Sequence, residues 1–311
     1  MVDLILFGDC KETLKQFPRG SAQMCVTSPP YYGLRDYGGE ANQIGQEETP
    51  EEFIQSLVEV FREVRDVLKD DGVLWLNIGD SYYNYRPGTG GLPKQTVSKT
   101  NQDLPTQCNR RANKIDGLKE KDLIGIPWML AFALRADGWY LRQDIIWHKP
   151  NPMPESVKDR CTKSHEYIFL LSKNKNYYYD NEAIKEPVKQ DWGTRDRTKG
   201  KYHNPGTGLA PHSGLSKSYD RKNKRSVWSI TNKPYKGAHF ACFPPDLIEP
   251  CILAGSREGD VILDPFMGSG TTAMVAKQHD RSYIGCELHE DYGSLIQKRL
   301  KAIPTKLPFD M

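Results

Sequence analysis

Apolar positions along the first eighty residues change period twice. Leu4–Phe7 is a short apolar run closed by Gly8-Asp9, the pattern of a buried strand ending in a polar turn. Met24–Thr27 is a second such run, ended by Ser28-Pro29-Pro30. From Glu51 to Lys69, apolar residues stand at 53, 54, 57, 60, 61, 64, 67 and 68, the spacing of a helix with one apolar face. Pro50 ahead of it and Asp71-Gly72 behind it supply start and stop signals. Val73–Ile78 returns to a strand, so strand, helix and strand follow in βαβ order.

Residues 82–122 hold Gly, Pro, Asn and charge with few apolar anchors, and read as a long loop carrying Arg110 and Arg111. Leu123–Ala136 predicts a helix with Pro127 near its first turn. Arg142–Trp147 and Glu166–Leu171 predict strands, Pro245–Ala254 a helix and Val261–Leu263 a further strand. The alternation predicts an α/β fold.

Composition narrows the classes. With 311 residues, 38% of them apolar, a full-size core is available and a disordered or collagen-like chain is excluded. The longest apolar stretch, Leu123–Leu134, is interrupted by Pro127 and falls short of a bilayer span. No basic segment precedes Leu4–Phe7, and Asp9 and Lys11 cut that run short, so no signal peptide is expected. The seven cysteines form no Cys-x-x-Cys pair. That disfavours a disulfide framework or a four-ligand zinc site and predicts a cytoplasmic protein without a metal. His203 and His212 lack cysteine partners at zinc spacing.

Charge changes the picture more. Between Lys185 and Lys236 stand 13 Lys or Arg against 4 Asp or Glu, a local +9 on a chain whose net charge is +3. The remainder therefore carries −6. A basic block on an acidic body, interleaved with Trp192, Tyr202, Tyr219 and Trp228, suits either a solvated loop or a polyanion-facing segment. Arg195, Arg197, Lys199, Arg221, Lys222, Lys224 and Arg225 are the candidates for DNA binding, with more phosphate than base contacts expected.

Two motifs carry the chemistry. Val261-Ile-Leu-Asp264-Pro265-Phe266-Met-Gly268-Ser-Gly270-Thr271-Thr-Ala273 reads as a strand, a glycine-rich turn and a helix start, where the backbone can approach a ligand closely. Ser282–Glu287 then reads as a strand ending in an acidic residue placed to accept from ribose hydroxyls. Asp264 ahead of the glycines would repel a pyrophosphate, which argues against a nicotinamide dinucleotide and for a cofactor with a cationic amino-acid end, such as S-adenosyl-L-methionine. Few residues follow Gly270, so the rest of the sheet must come from the N-terminal strands.

The second motif is Thr27-Ser28-Pro29-Pro30-Tyr31 at a strand end, where open α/β sheets bind ligands. Two prolines remove backbone donors and leave carbonyl acceptors. Those carbonyls and the Ser28 hydroxyl can hold both protons of an exocyclic amine, and Tyr31 can stack on the ring that bears it.

These residues resemble the S-adenosylmethionine-dependent DNA amino-methyltransferases in permuted (beta-type) motif order. The catalytic Ser/Asp-Pro-Pro-Tyr motif matches Ser28, Pro29, Pro30 and Tyr31. The cofactor loop matches Asp264, Pro265, Phe266, Gly268, Gly270 and Thr271; the ribose contact matches Glu287; the Gly-Asp near the adenine matches Gly8-Asp9. His239–Pro244, with Phe243, resembles the segment closing over the methionine end. Trp147–Pro154 and Lys163–Glu166 are similar to family segments.

The resemblance implies a Rossmann-like sheet, mostly parallel with one antiparallel strand, built by residues 1–180 and 237–311. Residues 181–236 then form an inserted target-recognition region. It implies methyl transfer to a flipped base in double-stranded DNA, with Ser28 favouring N4 of cytosine over N6 of adenine. It leaves open a monomer or homodimer, and a companion restriction endonuclease acting on the same site without joining the enzyme. Lys149, His148 and His165 are expected to pack or contact phosphate rather than act as bases. A nicotinamide-dependent oxidoreductase and a noncatalytic DNA-binding protein are the rival readings.

Overall fold

The computed structural model describes residues 3–33, 43–83, 115–188, 220–232 and 243–303. The N-terminal elements are β1 (Leu4–Phe7), α1 (Cys10–Thr13), β2 (Ala22–Thr27), α2 (Pro50–Val67) and β3 (Leu68–Ile78). Next come α3 (Ile126–Ala136), β4 (Tyr140–His148), β5 (His165–Ser172), β6 (Glu186–Pro187), β7 (Arg221–Lys222) and β8 (Val227–Ser229). The last are α4 (Pro245–Gly255), β9 (Val261–Asp264), α5 (Thr271–Gln278), β10 (Ser282–Glu287) and α6 (Tyr292–Lys301).

One eight-stranded sheet runs β1-β10-β9-β2-β3-β5-β4-β8. Its pairings are parallel except those of β5 with β3 and β4. The resemblance implied this arrangement. Every residue of β2 is buried, as a central parallel strand covered on both faces requires. One core layer packs α2 and α3 through Phe53, Leu57, Phe61, Leu130 and Leu134. The other packs α4 and α5 through Leu247, Ile252, Ala273 and Val275, with Trp75 and Trp228 beneath. Among the described residues, no helix is long and apolar enough to cross a membrane.

Helix α2 starts where its sequence says. Thr49 accepts from the Glu52 amide and Glu52 returns the bond to the Thr49 amide, a capping box with Pro50 in the first turn. Its end differs from expectation: β3 begins at Leu68 and runs through Asp71-Gly72. Pairing with β2 shifts register between Ala22 and Met24, and a Cβ on Gly72 would stand 2.8 Å from the Lys69 carbonyl oxygen. The glycine serves an irregularity inside the strand rather than a break before it.

The helix expected from Leu123 starts three residues later. Gly125 adopts φ +87°, and the Asp80 carboxylate accepts from the amides of Gly125 and Ile126, so the cap comes from across the fold. Leu123 instead bridges Tyr82. Most of 82–122, including Arg110 and Arg111, lies outside the described residues.

In the basic segment, sequence patterning did not foresee strands. β8 pairs parallel with β4, Trp147 opposite Trp228, and so extends the main sheet from within 181–236. Asn151 and Asn232 tie its exit to the loop after β4 through two reciprocal hydrogen bonds of 3.1 and 3.0 Å.

Candidate active site

β2 and β9 are parallel neighbours, so the segments following Thr27 and Asp264 leave on the same rim of the sheet. The Thr27 hydroxyl donates to Asp264 Oδ1 at 2.6 Å, and the Phe266 amide reaches the same oxygen at 3.0 Å. The Thr272 hydroxyl donates to Oδ2 at 2.6 Å. Asp264 is 1% exposed. Burial pushes its carboxyl up to about 6, against the pull of these donors. The carboxylate therefore turns inward and joins three elements: β2, the turn after β9, and the first turn of α5.

The glycine-rich turn is fixed from several sides. Gly268 and Gly270 adopt φ of +53° and +80°. A Cβ on Gly285 of β10 would sit 2.3 Å from Met267 Cε, so the turn lies directly on that strand. Arg299 of α6 donates to the hydroxyls of Ser269 and Thr271 at 2.8 and 2.7 Å. Glu287 ends β10; its carboxylate accepts from the amides of Gly268 at 2.7 Å and His289 at 3.0 Å. Burial raises its pKa. Pairing of Phe7 with Glu287 brings Asp9 alongside, where it caps α1 by accepting from the Lys11 amide. Phe243, half-buried against the α4–α5 core layer, stands just ahead of α4.

These residues fit an adenosine-bearing cofactor. Glu287 is a nearly buried carboxylate at the strand end with acceptor capacity beyond its backbone partners. The turn beside it lacks side chains at Gly268 and Gly270, so the backbone can be approached closely.

The Ser28–Tyr31 turn sits on the same rim. Pro29 is buried, while Ser28, Pro30 and Tyr31 are half-buried. The Tyr31 ring crosses the end of β3: a Cβ on Gly79 would meet its Cε2 at 2.6 Å. Its hydroxyl donates to Glu166 Oε2 at 2.7 Å. Lys149 is ion-paired with the other Glu166 oxygen and lies 4.2 Å from the Trp147 ring centroid. His148 Nδ1 lies 3.0 Å from Ser229 Oγ, and His165 packs edge-on against Tyr167.

Of the basic candidates, Arg195, Arg197 and Lys199 lie outside the described residues. The structure brings the other four together beside β8. Arg225 pairs with Glu186 at 2.5 Å, Lys222 stands 3.6 Å from the same carboxylate, and Arg221 donates to the Lys185 carbonyl. Lys224 lies over the Trp228 ring at 5.0 Å.

Sequence reasoning missed Thr27, Thr272, Gly79, Asn77, Glu166 and Arg299 as parts of the site. Thr27 and Thr272 adjoin the motifs that were read, and Glu166 ends a segment noted without a role. Gly79 and Arg299 lie in no motif.

Comparison with known proteins agrees with the site. A DNA methylase family model matches residues 22–298. Type II methyltransferase M.SmaI of Serratia marcescens is 48% identical over 296 residues, covering 95% of this chain and 90% of its own. Type II methyltransferase M.Cfr9I of Citrobacter freundii is 46% identical over 300 residues, covering 96% and 88%. Among solved structures, PvuII DNA methyltransferase (cytosine-N4-specific) superposes with a TM-score of 0.64 at 18% identity, over 99% of this chain and 89% of its own. A DNA modification methylase from Thermus thermophilus, complexed with S-adenosyl-L-methionine, superposes with a TM-score of 0.60 at 23% identity, over 97% and 95%. Both share the fold.

Two outcomes follow from this geometry. Gly79→Ala pushes the Tyr31 ring aside, so turnover falls by roughly tenfold or more while cofactor affinity, measured by calorimetry, stays within about twofold. Asp264 holds its proton more tightly folded than unfolded, so wild-type stability falls as pH rises from about 4 to about 6. Urea unfolding at about pH 4.5 and about pH 7 should show the wild type losing about 2 kcal/mol more than Asp264→Asn, which has no such proton.

Proposed function

We propose that this chain, which belongs to the S-adenosylmethionine-dependent DNA amino-methyltransferase family, methylates N4 of cytosine at a specific site in double-stranded DNA. The observation that carries the reading is the Thr27–Asp264 hydrogen bond, which sets the Ser-Pro-Pro-Tyr turn and the glycine-rich turn side by side on one rim. The choice of base rests on Ser28, whose neutral hydroxyl can take one amino hydrogen without adding charge. The fold neighbour described as cytosine-N4-specific is consistent with it.

The cofactor, when bound, supplies a methyl group made electrophilic by its sulfonium. Glu287 accepts from the ribose hydroxyls, with Asp9 on the adjacent strand near the adenine. Phe266, Gly268, Gly270 and Thr271 form the floor, Pro265 fixes the turn, and Phe243 flanks the methionine end. Asp264 acts by holding that turn in place.

On the other side, the Ser28 hydroxyl and the carbonyls of the proline turn accept the two amino protons. That returns electron density to a nitrogen whose lone pair is otherwise delocalised into the ring, and aligns it for attack. The amine releases its proton after the methyl arrives, so no side chain must act as a base. Everting the base costs a few kcal/mol, which stacking on Tyr31 at about 1–3 kcal/mol offsets. Arg195, Arg197, Lys199, Arg221, Lys222, Lys224 and Arg225 supply contacts to DNA, mostly to phosphate.

Nucleoside mass spectrometry of DNA from cells expressing the protein should show N4-methylcytosine; N6-methyladenine in its place would overturn the base assignment. Pro30→Ala and Tyr31→Ala should each lower turnover by about a hundredfold with cofactor affinity within about twofold. Asp264→Ala should do the reverse, weakening cofactor binding most. Equal loss of cofactor binding in all three proteins would refute this division of labour.

A further inference from the structure

Stacking requires only a ring face, yet the Tyr31 hydroxyl is also held. We propose that Glu166 is a positioning residue that sets the orientation of the Tyr31 ring toward the everted base, with Lys149 as the counter-charge that keeps it in place. This rests on the reading of Tyr31 as the stacking residue.

The ring is constrained at both ends. Its edge lies against the bare backbone of Gly79 at the end of β3, where a Cβ would intrude at 2.6 Å from Cε2. Its hydroxyl, on the far side, donates to Glu166 Oε2 at 2.7 Å. Glu166 belongs to β5, so a residue leaving β2 is secured across β3 to the one antiparallel strand of the sheet. Without the hydroxyl contact the ring could swing about χ1 and χ2. With it, the stacking surface is set before the base arrives, which reduces the ordering cost of binding.

Glu166 is itself held. Asn77, 4% exposed, donates to the Tyr167 carbonyl at 3.0 Å and to Glu166 Oε2 at 3.4 Å. Lys149 pairs with Oε1, and both side chains are about 15% exposed. A lone carboxylate on a rim that receives DNA would repel phosphate; the ammonium cancels that field and leaves a neutral pair. Lys149 pairs within the protein, which separates it from the cations that contact phosphate.

A double-mutant cycle tests the assignment. Methyl incorporation by the wild-type protein tests the functional reading by itself; the cycle tests Glu166. Tyr31→Phe removes one oxygen from a half-buried side chain and leaves the fold intact. Tyr31→Phe and Glu166→Ala should each lower single-turnover methylation by roughly tenfold, with DNA KM and cofactor Kd within about twofold. The double variant should be no slower than either single variant, because both remove the same constraint. Multiplying losses, roughly a hundredfold in the double variant, would overturn the proposal by showing that Glu166 acts apart from Tyr31. Unchanged turnover in Tyr31→Phe would overturn it as well.

Discussion

The carboxylate of Asp264 is the joint on which the site depends. It receives the Thr27 hydroxyl from the strand that leads into Ser28 and the Thr272 hydroxyl from the helix that follows Gly270. The Phe266 amide completes the set. A buried ionisable group without partners would be strongly unfavourable; with three donors it is held, though its proton affinity still rises. The two chemical halves thereby share one anchor instead of two independent loops. Precision of that kind is what in-line transfer between two bound molecules demands.

Sheet order explains why the rim is open at that point. From β2 the chain passes through α2 to β3 on one side, while from β9 it passes through α5 to β10 on the other. The segments leaving β2 and β9 therefore diverge, and a crevice opens between them, as at the switch points of other open α/β sheets. α2 and α5 lie on opposite faces, in separate core layers. Permutation of the motif order leaves this intact, because the sheet depends on which strands are neighbours and not on which is made first.

Much of this was legible in the sequence. Buried parallel strands read as apolar runs, so β1, β2, β9 and β10 could be placed, and the proline and glycine punctuation marked both turns. The divergences have local causes. Gly72 looked like a terminator because a bulge and a turn use the same residue. Leu123–Gly125 looked helical because the cap that excludes them comes from Asp80, distant in sequence. β8 was hidden because three residues, Val227–Ser229, carry no period. Within the site, residues inside motifs could be read, while those acting through tertiary contact could not. Glu166 is defined by a phenol 135 positions away, and Gly79 by the absence of a side chain beneath a ring.

The pairing of β2 with β9 also has a cost in time. Thr27 and Asp264 are 237 positions apart, so at ordinary translation speeds roughly 10–50 s separate their emergence from the ribosome. Through that interval the strand that becomes the middle of the sheet has one flank without a partner, an apolar edge open to neighbouring nascent chains. Any chaperone requirement of this protein is therefore concentrated in the window before β9 docks, and truncated translation products that stop short of it would be prone to aggregate.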